Sequence, residues 1–139
     1  MQKRILLIDD EPNVRLFYSD VLAEQGYKVL EADSGNDVVR LIESEVPDLV
    51  VLDLKLGRQN GLDVLQQIVC CRRDLPVILL TAYLSFQDDY TTWLADSYLL
   101  KSSDPGELLH EVDRVLNGPE QRATPQQAYR ASFGASDLP

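Results

Sequence analysis

The sequence has little with which to staple or anchor itself. Its only two cysteines, Cys70 and Cys71, are neighbours inside a helical pattern. Adjacent cysteines build no disulfide framework, and two thiols are too few to close a zinc site. They read as reduced, partly buried apolar side chains. Met1-Gln2-Lys3-Arg4 leads straight into an apolar run too short for a signal-peptide core or a bilayer span. A cytoplasmic location with no membrane partner is expected. Positive charge is also scarce: 13 Lys and Arg stand against 23 Asp and Glu, a formal net charge of −10. Beyond Gly118 the charges of Glu120, Arg122, Arg130 and Asp137 cancel, so the excess lies in the body. An acidic body speaks against direct contact with nucleic acid or an anionic membrane, and suits divalent cations and basic partner patches. Ordinary solubility charge accounts for most of it. The lone histidine, His110, lies on an amphipathic pattern and reads as a surface residue. No glycine-rich phosphate loop follows a strand, and no internal repeat is visible.

What is present is a regular alternation. Leu49-Val50-Val51-Leu52 is short, wholly apolar and bounded by Pro47-Asp48 and Gly57, the signature of a strand buried on both faces. Similar runs occupy residues 3–8, 27–32, 77–80 and 98–100. Between them lie helical patterns. Pro12 fits a first turn, and Val14, Phe17, Tyr18, Val21 and Leu22 share one face, stopped by Gly26. Asp33 or Ser34 is expected to cap a second helix that turns Val38, Leu41 and Ile42 inward and ends before Pro47. Leu62, Leu65, Ile68 and Val69 predict a third. Phe86, Tyr90, Trp93 and Leu94 keep helical spacing among mediocre helix formers, which predicts a short, mobile helix within 83–96. Asp104-Pro105-Gly106-Glu107 reads as cap, first-turn proline and capping-box glutamate before Leu108, Leu109, Val112, Val115 and Leu116. Five strands alternating with five helices predict an α/β domain, a parallel sheet with helices on both faces and right-handed crossovers. Residues 1–118 form that domain. Residues 119–139, with three prolines and weak periodicity, read as a flexible tail or truncated linker.

The chemistry gathers where the strands end. Asp9-Asp10-Glu11 follows the first strand, Asp53 the third, Thr81 the fourth and Lys101 the fifth. In a parallel sheet these ends share the edge at which open α/β folds bind ligands. Clustered carboxylates repel, and a hard divalent cation with oxygen ligands would offset that, as would the Lys101 ammonium. Cation, ammonium and hydroxyl around a carboxylate suit phosphoryl transfer, and an aspartate can itself become an acyl phosphate. Taken singly, each of these residues would more often be a cap, a turn or core.

In order and spacing, Ile5 to Pro12, Asp53-Leu54-Lys55-Leu56 with Gly61-Leu62, Thr81-Ala82 and Tyr98 to Lys101 resemble the response-regulator receiver domain of two-component signalling. The resemblance covers residues 3–117. It implies a doubly wound, flavodoxin-like sheet of five strands in the order 2-1-3-4-5, like that of the chemotaxis response regulators. It also implies Asp53 as phosphoacceptor. Mg2+ would be held by Asp9, Asp10, Asp53 and the backbone carbonyl of Lys55, with Asp9 acting mainly through water. Thr81 and Lys101 would contact the phosphoryl oxygens. Tyr98 would turn inward as Thr81 is drawn to the phosphate, repacking the fourth helix and last strand. Lys55 and Tyr83, two positions beyond Asp53 and Thr81, are expected to shield the acyl phosphate and tune its loss. The sequence departs from the family pattern at Gly57 and at Ser102, both usually proline, and is somewhat short between Thr81 and Lys101.

The resemblance therefore implies a switch rather than an enzyme. Its partners would be a sensor histidine kinase or phosphotransfer protein and a downstream target or missing output domain. The 83–117 face would serve for homodimerisation. Two other classes compete. One is a receiver-like interaction module that is never phosphorylated. The other is a haloacid-dehalogenase-like phosphatase, which wants an acidic residue where Lys55 stands.

Overall fold

A computed structural model describes residues 2–82, 94–102 and 104–118. Strand β1 (Arg4–Ile8) leads into helix α1 (Pro12–Glu24), then β2 (Lys28–Ala32), α2 (Val38–Glu45) and β3 (Leu49–Leu52). Two short strands follow, β4 (Lys55–Leu56) and β5 (Gln59–Asn60), and then α3 (Gly61–Cys71), β6 (Val77–Thr81), β7 (Ser97–Leu100) and α4 (Gly106–Asn117). The main sheet has the order β2-β1-β3-β6-β7, and every pairing in it is parallel. This is the predicted doubly wound topology. The first four strands of the expected 2-1-3-4-5 order are β1, β2, β3 and β6, and the fifth is β7. Of the five expected helices, four lie among the described residues; the segment expected to hold the other, and Tyr83 with it, falls largely outside them.

Strand residues alternate between two cores. Leu6, Ile8, Val50, Leu52, Val77 and Leu79 pack under α2 and α3, against Val38, Ile42, Leu65 and Ile68. Ile5, Leu7, Leu49, Val51, Ile78 and Leu80 pack under α1 and α4, against Tyr18, Leu22, Leu108 and Val112. A strand covered on both faces has no polar side to write into its sequence, which is why the runs are continuous. Burying each such side chain contributes about 1.5–3 kcal/mol.

Four expectations change. Phe17 shares the α1 pattern but stays 40 % exposed, because only Tyr18 and Leu22 of that helix are fully buried. Helix α2 starts at Val38, since the Ser34 hydroxyl spends itself accepting the Asn36 N–H at 3.3 Å in a local turn, and no side chain caps the helix. Cys70 is exposed and only Cys71 is half-buried. The loop after Asp53 is not plain coil: β4 and β5 pair antiparallel within it. At α4 a further expectation shifts by one residue: Pro105, and not Asp104, is the N-cap, and the Asp104 carboxylate accepts the Gly106 N–H at 2.9 Å from just outside the helix.

Candidate functional site

The sheet register brings the chemical groups together. Ile8 pairs with Leu52 and Leu52 with Leu79, so Asp9 and Asp53 leave neighbouring strands at the same level. Thr81 pairs with Leu100, and the Lys101 N–H donates to the Thr81 carbonyl at 2.6 Å. The chain reverses its direction of winding between β1 and β3, the switch point at which such sheets open a crevice. Asp10, Asp53, Lys55, Gly57, Thr81 and Lys101 line a cleft of about 230 Å³ there.

Within it Asp53 is 5 % exposed. Its Oδ1 accepts the Lys55 N–H at 3.2 Å, and its Oδ2 meets the Lys101 ammonium at 3.1 Å. The same ammonium lies 2.9 Å from Asp9 Oδ2. Asp9 is buried, its Oδ1 accepting the Glu11 N–H at 2.9 Å. Burial raises the Asp53 pKa above the usual carboxylate range; the Lys55 N–H and Lys101 oppose that shift, and Asp9 adds to it. For Lys101, burial works against the charge, but the Asp9 hydrogen bond and the charges of Asp53 and Asp9 outweigh it, and its pKa rises. The ammonium is thus firmly protonated between two carboxylates. A buried like-charge pair of carboxylates needs such a partner.

Asp9, Asp10 and Asp53 each offer a carboxylate oxygen, all within 4.8 Å of one another. Three hard anionic oxygens beside a cleft fit a hard divalent cation of the Mg2+ class. Thr81 lies at the cleft wall, 1 % exposed. Tyr98 is half-buried on β7, packs against the α2/α3 core and pairs with Leu79, two residues before Thr81. The Lys101–Ser102 peptide is trans. His110 is exposed on α4, away from the cleft lining.

Three supports did not stand out from the residues alone. Arg15 on α1 donates to the Asp9 carbonyl at 2.6 Å and pairs with Glu31 at 3.2 Å, which pins the acidic loop to α1 and β2. Gln59 accepts the Gly35 N–H at 2.7 Å and donates to Asn36 Oδ1 at 3.0 Å, tying the β4–β5 hairpin to the turn before α2. A Cβ on Gly61 would come within 2.7 Å of the Asp53 carbonyl oxygen. Only the glycine had a sequence signal, its place at the end of the loop.

Comparisons with known proteins point the same way. The family described as "Response regulator receiver domain" matches residues 5–113. The "Transcriptional regulatory protein PdtaR" of Mycobacterium tuberculosis is 37% identical over 120 residues, 83% of this chain and 57% of that protein. A "Probable transcriptional regulator ycf27" of Porphyridium aerugineum is 39% identical over 120 residues, 84% of this chain and 49% of that one. The chain thus spans about half the length of these curated relatives. Among solved structures, the response regulator TrrA of Thermotoga maritima in complex with Mg2+-BeF superposes with a TM-score of 0.79 at 38% identity, covering 83% of this chain and all of that one. TrrA in complex with the histidine kinase ThkA matches with a TM-score of 0.77, over 84% of this chain.

Proposed function

Because this chain belongs to the response regulator receiver domain family, we propose that Asp53 accepts a phosphoryl group in a two-component phosphorelay and that the acyl phosphate switches a partner-binding surface. Such domains are signalling proteins. The observation that carries the assignment of Asp53 is its position: a buried carboxylate that lines the cleft, within 4.8 Å of two others and in contact with the half-buried Lys101 ammonium.

The donor is a phosphohistidine on a sensor histidine kinase or phosphotransfer protein. An Asp53 carboxylate oxygen attacks phosphorus, the P–N bond breaks, and the leaving imidazole takes up a proton. Asp9, Asp10, Asp53 and the Lys55 carbonyl would hold Mg2+, which would neutralise charge on the phosphoryl oxygens when bound. Lys101 is placed to exchange its contact with Asp53 for one with a phosphoryl oxygen, and the Thr81 hydroxyl to donate another. Drawing Thr81 toward the phosphate opens space into which Tyr98 turns, and that switches the 83–117 face, of which residues 83–93 lie outside the described residues, for use by a target or a second copy. The chemistry is confined to self-catalysed uptake on Asp53 and its hydrolysis, with the exposed Lys55 shielding the acyl phosphate; Tyr83 lies outside the described residues. Residues 1–118 act as the receiver unit, in the cytoplasm, with output through a partner or a further domain.

Incubation with acetyl phosphate and Mg2+, read by intact mass, tests the assignment. The wild type should gain one phosphoryl mass and Asp53→Asn none. Equal uptake by Asp53→Asn, or none by the wild type, overturns it.

A further inference from the structure

Tyr18 is buried on the inner face of α1, 3 % exposed, among the apolar side chains beneath α1 and α4. A buried tyrosine needs a partner for its hydroxyl. This one has two on a single residue: its hydroxyl donates to the Ser102 carbonyl at 3.1 Å and accepts the Ser102 N–H at 3.3 Å. The second bond exists only because residue 102 has an N–H, which the proline expected there lacks. Ser102 directly follows Lys101, whose own N–H is held by the Thr81 carbonyl at 2.6 Å. The lysine backbone is therefore fixed on both sides, by β6 before it and by α1 after it. Its side chain then spans to Asp9 and Asp53 at 2.9 and 3.1 Å.

We infer that Tyr18 is a positioning residue for Lys101: its hydroxyl clamps the Ser102 peptide and so aims the ammonium at the phosphoryl site. The inference rests on Asp53 as phosphoacceptor. The Tyr18 hydroxyl bonds the Ser102 peptide and not a cleft carboxylate, so its route to the phosphoryl site runs through Ser102 and Lys101. Its ring is held separately by the core and by Phe17, edge-on at 5.1 Å between centroids. Removing the hydroxyl alone should leave the helix seated.

The test is a double-mutant cycle on the full chain. Uptake from acetyl phosphate at saturating Mg2+ is timed by intact mass for wild type, Tyr18→Phe, Lys101→Met and the double variant. Losing one backbone clamp predicts a slowing of roughly three- to tenfold in Tyr18→Phe. It predicts no further slowing when Tyr18→Phe is added to Lys101→Met. A merely structural tyrosine would slow both backgrounds by the same factor, and that result, or no slowing at all, overturns the inference. The Lys101 ammonium resonance of isotope-labelled, unphosphorylated protein gives an independent reading. It should shift or broaden in Tyr18→Phe, and an unmoved resonance overturns the inference. That signal decides alone if Lys101→Met takes up too little to time. If wild type takes up no phosphoryl group, the phosphoacceptor reading fails, and the ammonium signal still shows whether Tyr18 places Lys101.

Discussion

Gly61 sits where a side chain has nowhere to go. A Cβ there would lie 2.5 Å from Leu54 Cα, 2.6 Å from the Leu54 carbonyl oxygen and 2.7 Å from that of Asp53. All three are backbone atoms, so nothing flexible can yield. Gly61→Ala must displace the two residues that set the direction of the Asp53 side chain and the Lys55 N–H. It should cost about 2–3 kcal/mol, read as a lower urea midpoint. It should also slow phosphoryl uptake by at least about tenfold, since small misplacements of reacting groups are expensive. An unchanged midpoint would show that the backbone relaxes freely. Gly57 makes the contrast. Unlike Gly61 it has a left-handed φ of +59°, and a Cβ there would lie 3.7 Å from Asp10 Oδ2, an ordinary contact. Gly57→Ala should therefore cost about 1 kcal/mol through backbone strain alone.

Among the elements, α2 and α4 show what a pattern can and cannot encode. The inward residues of α2 were legible as Val38 and Ile42 because burial leaves a period in the sequence. Its first residue was not, because Ser34 can serve a helix or a turn and only the tertiary setting chooses. Its end falls before Pro47 as expected, but in an unforeseen backbone conformation. Val46, 59 % exposed, holds φ at 49°, a left-handed stop made without glycine. A β-branched residue there costs about 1–2 kcal/mol in strain and buries little in return. Val46→Gly should thus raise stability by up to about 1 kcal/mol after the added unfolded-state entropy, read as a higher urea midpoint; a lower midpoint would mean the side chain packs more than its exposure suggests. On α4, Glu111 joins the helix to the last strand. Its carboxylate accepts Ser97 Oγ and meets Arg114 at 2.9 and 3.0 Å. The Arg114 hydrogen bonds hold its pKa below the usual glutamate value, against the effect of burial. A lowered folded-state pKa means stability that is present above the unfolded value, about 4.3, and lost as pH falls through the folded one. Glu111→Gln should remove that part of the acid dependence and cost less than about 1 kcal/mol at pH 7. Denaturation curves that keep the same acid slope would assign it to other carboxylates.

At the scale of the molecule, the site was readable because parallel strands place their ends in register. Asp9, Asp53, Thr81 and Lys101 lie far apart in the chain, yet each is the residue at which an apolar run stops. The clamps behind them were hidden, since Arg15 and Tyr18 sit on a helix whose pattern speaks only of burial, while their partners are the Asp9 carbonyl and Glu31 carboxylate for one and the Ser102 peptide for the other. The same convergence concentrates charge. The protein carries −10 overall, and three of its carboxylates share 4.8 Å. The Lys101 ammonium meets two of them, Asp9 and Asp53, and Asp10 reaches the cleft beside it. Folding without a cation therefore works against repulsion that the unfolded chain does not feel. A cation binding only the folded state adds about 2.7 kcal/mol at a hundredfold excess over its Kd. Mg2+ should raise the melting temperature by several degrees, and Asp10→Asn should melt higher than wild type in its absence while losing most of the Mg2+ response. Sodium chloride at equal ionic strength separates the causes: screening of the net charge acts on both proteins alike and falls off over about 10 Å. If sodium matches magnesium, or Asp10→Asn keeps the full magnesium shift, the carboxylates act as diffuse charge and not as ligands.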